Sequence, residues 1–303
     1  MILEGLFPVF ALLILGHMLK RFGLTSDSFL KTSDRLVYFI FFPALLFWKI
    51  GNSSTPGAET WNLCGAAVVA LFVIYGASTL FIVLFKVPHF KAGSFSQSCY
   101  RFNTYIGMAV VITAVGDAGI THFGILIGLM IPIVNVLAVS TLIWFSGQEY
   151  SLVHRLKVTA IALISNPLII ACVAGILYSR FASGFPGYIE NTLGLVSYLT
   201  LPLALLSIGG ELTLKSLKGN FNLSLVASVF KLLLYPALGY LFLSWFHVSG
   251  IPFKTGMIFF ALPTSSAIYV LSSQLSSDTA LASASIVLST ILSFISLSFV
   301  LMI

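Results

Sequence analysis

ALPTSSAIYV, residues 261–270, sets a proline and three consecutive hydroxyl residues, Thr264, Ser265 and Ser266, inside a run otherwise suited to a lipid interior. Proline removes a backbone donor and clashes with the preceding turn, so a helix through this stretch is expected to break at Pro263. Ser and Thr are favoured where a helix restarts, because their oxygens accept from the free N–H groups of its first turn. Unwound backbone at membrane depth is tolerated only where protein or a water-filled cavity satisfies it. The stretch therefore predicts either a helix interrupted at a polar cavity or a kinked helix whose hydroxyls bond back to their own carbonyls.

The surrounding chain belongs in a bilayer. Of its 303 residues, 58% are hydrophobic and 8% charged, against roughly 25% charged in a soluble domain. Segments approaching the roughly 20 apolar residues that cross a bilayer recur throughout. The expected fold is an all-α polytopic membrane protein with ten transmembrane spans, near residues 2–19, 35–51, 61–86, 97–115, 119–145, 157–179, 191–210, 222–246, 254–274 and 278–302. The first span has no basic residue before it and no small-residue cleavage pattern after it, so it is read as retained. With the N-terminus outside, the inside loops hold eleven Lys and Arg residues, Lys31 and Arg101 among them, and the outside loops three, Lys49, Arg180 and Lys254. This bias predicts a multi-pass protein of the cell (inner) membrane with both termini outside. The formal charge of +6 is then a topology signal, and no nucleic-acid partner is expected. Cys64, Cys99 and Cys172 form no C-x-x-C pair and read as small packing residues.

Shifted by 159 positions, the sequence aligns its first two spans with its sixth and seventh. Pro8 falls on Pro167, Gly16 on Gly175, Pro43 on Pro202 and Gly51 on Gly210. Five spans per copy is an odd number, so the second copy must enter the membrane from the opposite side. The expected division is a first five-helix repeat over 1–146, a short cytoplasmic linker over 147–156 and an inverted repeat over 157–303. In such arrangements the substrate site lies where discontinuous helices of the two copies meet.

The weakest span of each half has the same rank. The ninth contains the opening stretch, and the fourth contains YRFNTYIGMA, residues 100–109, where Asn103 and Gly107 tolerate non-helical backbone. Asn103 or Thr104 would cap one restarted half-helix and Thr264 or Ser265 the other. Two N-terminal ends, each equivalent to about half a positive charge, would then favour an anion. Lys231, in VFKLLLYPALGY, sits about ten residues into the eighth span, roughly 15 Å deep at 1.5 Å per residue. A lysine at that depth marks a functional position by default. Asn135 in the fifth span is a candidate either to line the same cavity or to make a structural interhelical hydrogen bond. Tyr269 and Tyr105 could present hydroxyls to a ligand or serve packing, and Arg101 could guard the inner mouth or be a topology charge. All nine acidic residues fall in loops or near span ends, the five histidines show no metal-ligand spacing, and there is no H-E-x-x-H, G-x-S-x-G or Walker A run. Neither an enzyme nor an ATP-driven pump is indicated, and no cofactor or metal is expected.

SDRLVYFIFFPALLF, YRFNTYIGMA, MIPIVNVLAV, SNPLIIACVAGIL, LPLALLSIGGELTL, VFKLLLYPAL, FFALPTSSAIYVL and ASASIVLSTILS, in this order across nearly the whole chain, resemble the auxin efflux carrier family, PIN-like carriers and bacterial malonate-type carriers included. The resemblance implies two inverted five-helix repeats whose fourth and ninth helices cross at the substrate site, an elevator-like alternating access, and a homodimer. It places Asn103, Thr104 and Gly107 on one arm of the crossing and Pro263, Thr264 and Ser265 on the other, and Lys231 where members often carry a basic residue. The chain departs from the family at Met108-Ala109, where a proline usually follows the fourth-helix glycine, at Ala267-Ile268, and in the third span, which lacks the plant carriers' acidic residue.

The reading that follows is a secondary transporter of a small organic anion, a carboxylate such as malonate or an auxin-like acid, with Asn103, Thr104, Gly107, Asn135, Lys231, Pro263, Thr264, Ser265, Ser266 and Tyr269 at the site. Its alternatives are a sodium-coupled symporter resembling the bile-acid carrier group, and a membrane sensor that binds ligand without moving it.

Overall fold

The computed structural model describes residues 2–53, 57–145, 165–182, 184–212 and 214–303, and every regular element among them is helical. In chain order these are α1 (Ile2–Arg21), α2 (Asp27–Leu36), α3 (Phe42–Gly51), α4 (Ala58–Leu84), α5 (His89–Tyr100), α6 (Thr104–Ala114), α7 (Asp117–Phe145) and α8 (Pro167–Phe181). They continue as α9 (Gly187–Tyr198), α10 (Thr200–Glu211), α11 (Phe221–Val229), α12 (Tyr235–Trp245), α13 (Gly250–Ala261), α14 (Ala267–Gln274) and α15 (Thr279–Val300). Among the described residues, five stretches are long and apolar enough to cross a membrane: Ala58–Leu84, Asp117–Phe145, Gly187–Glu211, Phe221–Trp245 and Thr279–Val300. The expected linker at 147–156 lies outside the described residues.

Prolines set the irregularities. Pro43 and Pro236 stand second in α3 and α12, and each is preceded by a widened turn, Val37–Phe41 and Phe230–Leu234. A proline cannot donate to the carbonyl four residues back, and a π-type turn absorbs the mismatch without ending the helix. There the backbone bonds run five residues back, from Phe42 N to Val37 O and from Tyr235 N to Phe230 O.

Glycines allow the closest contacts. A Cβ on Gly16 would collide with the Leu206 carbonyl, and one on Gly209 with the Leu13 carbonyl, so α1 and α10 touch backbone to backbone. The contact of α3 with α8 is built the same way, since a Cβ on Gly175 would lie 2.9 Å from Ile50 Cβ and 3.4 Å from Gly51 N. A Cβ on Gly210 would in turn lie 3.5 Å from Gly16 O. Without a hydrophobic force between helices in lipid, such small-residue approaches hold them by dispersion. The second packing group joins α4 to α12, α5 to α7 and α11 to α15.

Several helix starts differ from the expectation, among them Asp27 against 35 for the second span and Gly187 against 191 for the seventh. Two others lie on the expected arms of the crossing. The fourth span starts at His89, not near 97, and the ninth at Gly250, not near 254. Hydropathy misses α5 because its residues Ser94, Ser96, Gln97 and Ser98 are polar, yet all four are buried. Hydrogen bonds explain three of them, while the buried Ser96 hydroxyl has no partner among the described residues. Ser94 Oγ lies 2.8 Å from Ser272 Oγ and 2.9 Å from Ser277 Oγ, Ser98 Oγ donates to Ser94 O at 2.7 Å, and Gln97 Nε2 donates to Gly93 O at 3.3 Å. The shift also moves Arg101 out of the loop where the charge count had put it and into the gap between α5 and α6.

Candidate functional site

α5 and α6 are separated by residues 101–103, and α13 and α14 by residues 262–266. The arm with the proline has the longer gap. The two gaps touch: Asn103 N donates to Pro263 O at 2.9 Å, and the Phe102 and Phe259 rings lie edge to face with centroids 4.5 Å apart. Each arm thus satisfies a backbone group that the other leaves exposed.

The restarts are capped differently. Asn103 Oδ1 accepts from Tyr105 N and Ile106 N, both at 3.1 Å, which fixes the first turn of α6. On the other arm Ser265 Oγ accepts from Ala267 N at 3.2 Å, while Ser266, the residue before α14, makes no side-chain cap. Thr264 does not cap. Its N–H donates to Ser289 Oγ at 3.2 Å, and its buried hydroxyl has no partner.

Beside the crossing lies a cavity of about 560 Å³ lined by Arg101, Phe102, Thr104, Asn135, Asn166 and Ser265, with Phe39, Val134 and Val270 among its apolar walls. A second lobe of about 540 Å³ shares Tyr38, Thr104, Leu168, Ser265, Ala267 and Val270 with it and reaches Lys31, Asp34, Tyr105, Glu211, Ser266 and Tyr269. Burial raises the Asp34 carboxyl above its ordinary range. A larger cavity, about 640 Å³, between α11, α12 and α15 is almost wholly apolar and offers no charged group.

Of the expected site residues, Thr104, Asn135, Ser265, Ser266 and Tyr269 line the two lobes. Asn103, Pro263 and Thr264 form the junction behind them. Gly107 has a packing role, since a Cβ there would collide with the Phe123 ring and lie 2.6 Å from Leu262 Cδ1. Lys231 is elsewhere. It is fully buried, donates from Nζ to Phe260 O at 3.1 Å, and lies 4.6 Å from the Tyr235 ring centroid, outside the lining of either lobe. Phe260 is in the last turn of α13, and the N–H that would bond its carbonyl in a continuous helix, that of Thr264, is turned to Ser289. The lysine replaces that donor, where a cation also suits the negative end of the helix.

Two polar side chains that line the first lobe were not among the expected site residues. Arg101 is 7% exposed, and its guanidinium donates from Nη1 to Gln97 Oε1 at 3.1 Å and from Nη2 to Asn135 Oδ1 at 2.8 Å. Asn166 caps α8, its Oδ1 accepting from Leu168 N at 2.9 Å and Ile169 N at 3.3 Å. The dipeptide Asn166-Pro167 is itself a helix-start signal, an N-cap followed by proline at the first helical position. The expected span ran through it.

The sequence profile of the membrane transport protein family matches residues 1–301. An uncharacterized transporter of Methanocaldococcus jannaschii is 22% identical over 293 residues, a region that covers 95% of this chain and 94% of the relative.

Proposed function

The chain belongs to the membrane transport protein family, that of the auxin efflux carriers and not of enzymes, and from this premise we propose that it is a secondary transporter of a small organic anion working by alternating access at the crossing of its two broken helices. The observation that carries the proposal is the junction of Asn103 with Pro263 behind a cavity into which both arms contribute residues. The starts of α6 and α14 border that cavity through Thr104 and Ala267. Backbone donors at such starts favour negative charge.

The ten-span, inverted-repeat architecture is part of this reading. The glycines matched by the 159-residue shift support it. Exchanging the repeats turns the contact of Gly210 with Gly16 into that of Gly51 with Gly175, and both contacts are present. The pairs α1 with α10 and α3 with α8 then form a frame, and the broken helices ride on the other packing group. Relative sliding of the two groups would give an elevator. With Lys31 and Glu211 at its mouth, the cavity faces the side to which the basic loops are assigned, and this conformation is the inward-open one.

Flux in reconstituted vesicles tests the proposal. Labelled malonate, related dicarboxylates and indole-3-acetate are offered with and without a sodium gradient, and carboxylate uptake independent of sodium is expected. Uptake that requires sodium would favour the symporter alternative. Binding with no flux of any of these acids would leave a sensor and refute the transport reading.

A further inference from the structure

We propose that Arg101 is the residue that binds the anionic group of the cargo, with Gln97 and Asn135 as its positioning residues and the positive pole of the Asn166-capped start of α8 beside it. The inference rests on the cavity being the transport site. Its first observation is an unbalanced charge. Arg101 is buried, the two groups that accept its hydrogen bonds are neutral amides, and no ion pair among the described residues includes it. A guanidinium has five N–H donors, so two bonds leave three for a ligand. Burying such a group without a counter-charge is unfavourable unless something occupies it in the working cycle.

The second observation is geometric. Arg101 lines the same cavity as Thr104, Asn166 and Ala267, which mark the starts of α6, α8 and α14. Three helix N-terminal ends and one cation therefore border one volume, each favouring negative charge. The remaining wall is mostly apolar and lowers the local dielectric, which strengthens every such interaction.

The third observation is the tether. Gln97 on α5 and Asn135 on α7 grip the two terminal nitrogens from different helices. A planar fork held at both prongs presents a fixed edge, which suits the bidentate geometry of a carboxylate more than that of a spherical halide. Because α5 runs into Arg101 directly, movement of the α5–α6 arm would carry the charge with it. The anion site then travels with the broken helix.

Chemical labelling tests this without a variant. Phenylglyoxal modification of Arg101 in the purified protein, read by mass spectrometry, is expected to be suppressed by malonate or indole-3-acetate and unaffected by malonamide or indole-3-acetamide. Equal labelling in the presence of acid and amide would overturn the assignment. In vesicles, Arg101→Gln is expected to raise the KM for whichever acid is carried by roughly 10- to 100-fold, the range for a lost charged hydrogen-bond pair, and to erase the preference for acid over amide as competitor. Arg101→Lys, which keeps charge but not the fork, should fall between. A variant Arg101→Gln that still prefers the acid refutes the inference while leaving transport intact. Protection from labelling with no flux in the wild type would refute transport and keep the binding role.

Discussion

Replacing Lys231 by Met separates two roles for a buried lysine. The ammonium bonds Phe260 O at 3.1 Å and lies 4.6 Å from the Tyr235 ring centroid. Removing it forfeits a charged hydrogen bond worth about 1.5–3 kcal/mol and a desolvated cation–π contact worth about 2 kcal/mol. Against this, a lysine near the bilayer centre carries an insertion penalty of about 2.5–3.5 kcal/mol, which Met removes while keeping most of the stem volume. The terms cancel to within about 2 kcal/mol, so the variant should fold. What it lacks is the donor that terminates α13, so the break at Pro263 loses its fixed geometry. Vesicle flux should therefore show a reduced maximum rate with KM within about threefold of wild type, since threefold is about 0.65 kcal/mol and no cargo contact is lost. A rise in KM of tenfold or more with an unchanged maximum rate would mean that Lys231 touches the cargo, and the structural assignment would fail.

Asn103 can be tested by two replacements that act in opposite directions on folding. Asn103→Ala should destabilise the protein by about 1 kcal/mol through loss of the α6 cap, whereas Asn103→Asp keeps the cap and suits the helix dipole but sets a negative charge beside the cavity; thermal melting should fall only for Ala, and anion uptake should fall for both, further for Asp. Asp34 gives a pH prediction. Burial disfavours its ionised form, so the penalty on the folded state is present above its raised pKa and relieved as pH falls through it. Protonation also makes the lobe shared with Lys31 and Glu211 less negative, so uptake should increase on mild acidification. Asp34→Asn should show the higher uptake already at neutral pH, and because the cargo titrates identically with both proteins, the ratio of variant to wild-type rates isolates the residue; a ratio independent of pH would contradict the assignment.

The breaks were legible because proline and asparagine act locally. Pro263 removes a backbone donor wherever it lies. Pro8 and Pro132 stay inside α1 and α7, so it is the hydroxyl residues after Pro263 that mark a restart, and Asn103 followed by Thr104 is a start signal whatever it packs against. The pairing of the arms was legible from equal rank in two similar halves, and Asn103 N bonds Pro263 O as that pairing requires. The role of Lys231 was not legible. Its depth follows from counting residues along a helix, but its partner is a carbonyl 29 residues away, exposed only because Ser289 takes the N–H of Thr264. Arg101 was obscured for a related reason. The serines of α5 lower the hydropathy of the segment before it, and nothing local reveals that Ser272 and Ser277 will satisfy Ser94 and let that helix be buried. A window of hydropathy scores a hydroxyl as exposed, whereas its free energy depends on whether a distant partner exists.

Arg101 and Lys231 present the same problem, a cation buried without an acidic partner among the described residues, and the fold resolves it in two ways. Lys231 is directed at a helix C-terminal end, where a free carbonyl and the negative pole of the dipole oppose its charge, and an aromatic face lies beside it. Nothing further is required, so the residue is complete in the absence of cargo. Arg101 also follows a helix C-terminal end, that of α5, and donates to two amide oxygens, but the N-terminal ends of α6, α8 and α14 border its cavity, and each adds positive potential there. The two amide oxygens occupy two of its five N–H donors, whereas Lys231 lines neither lobe of the cavity. The remaining guanidinium donors and the positive poles around them favour an anion, and it is this excess of positive potential, more than the volume of the cavity, that distinguishes a binding site from a packing defect.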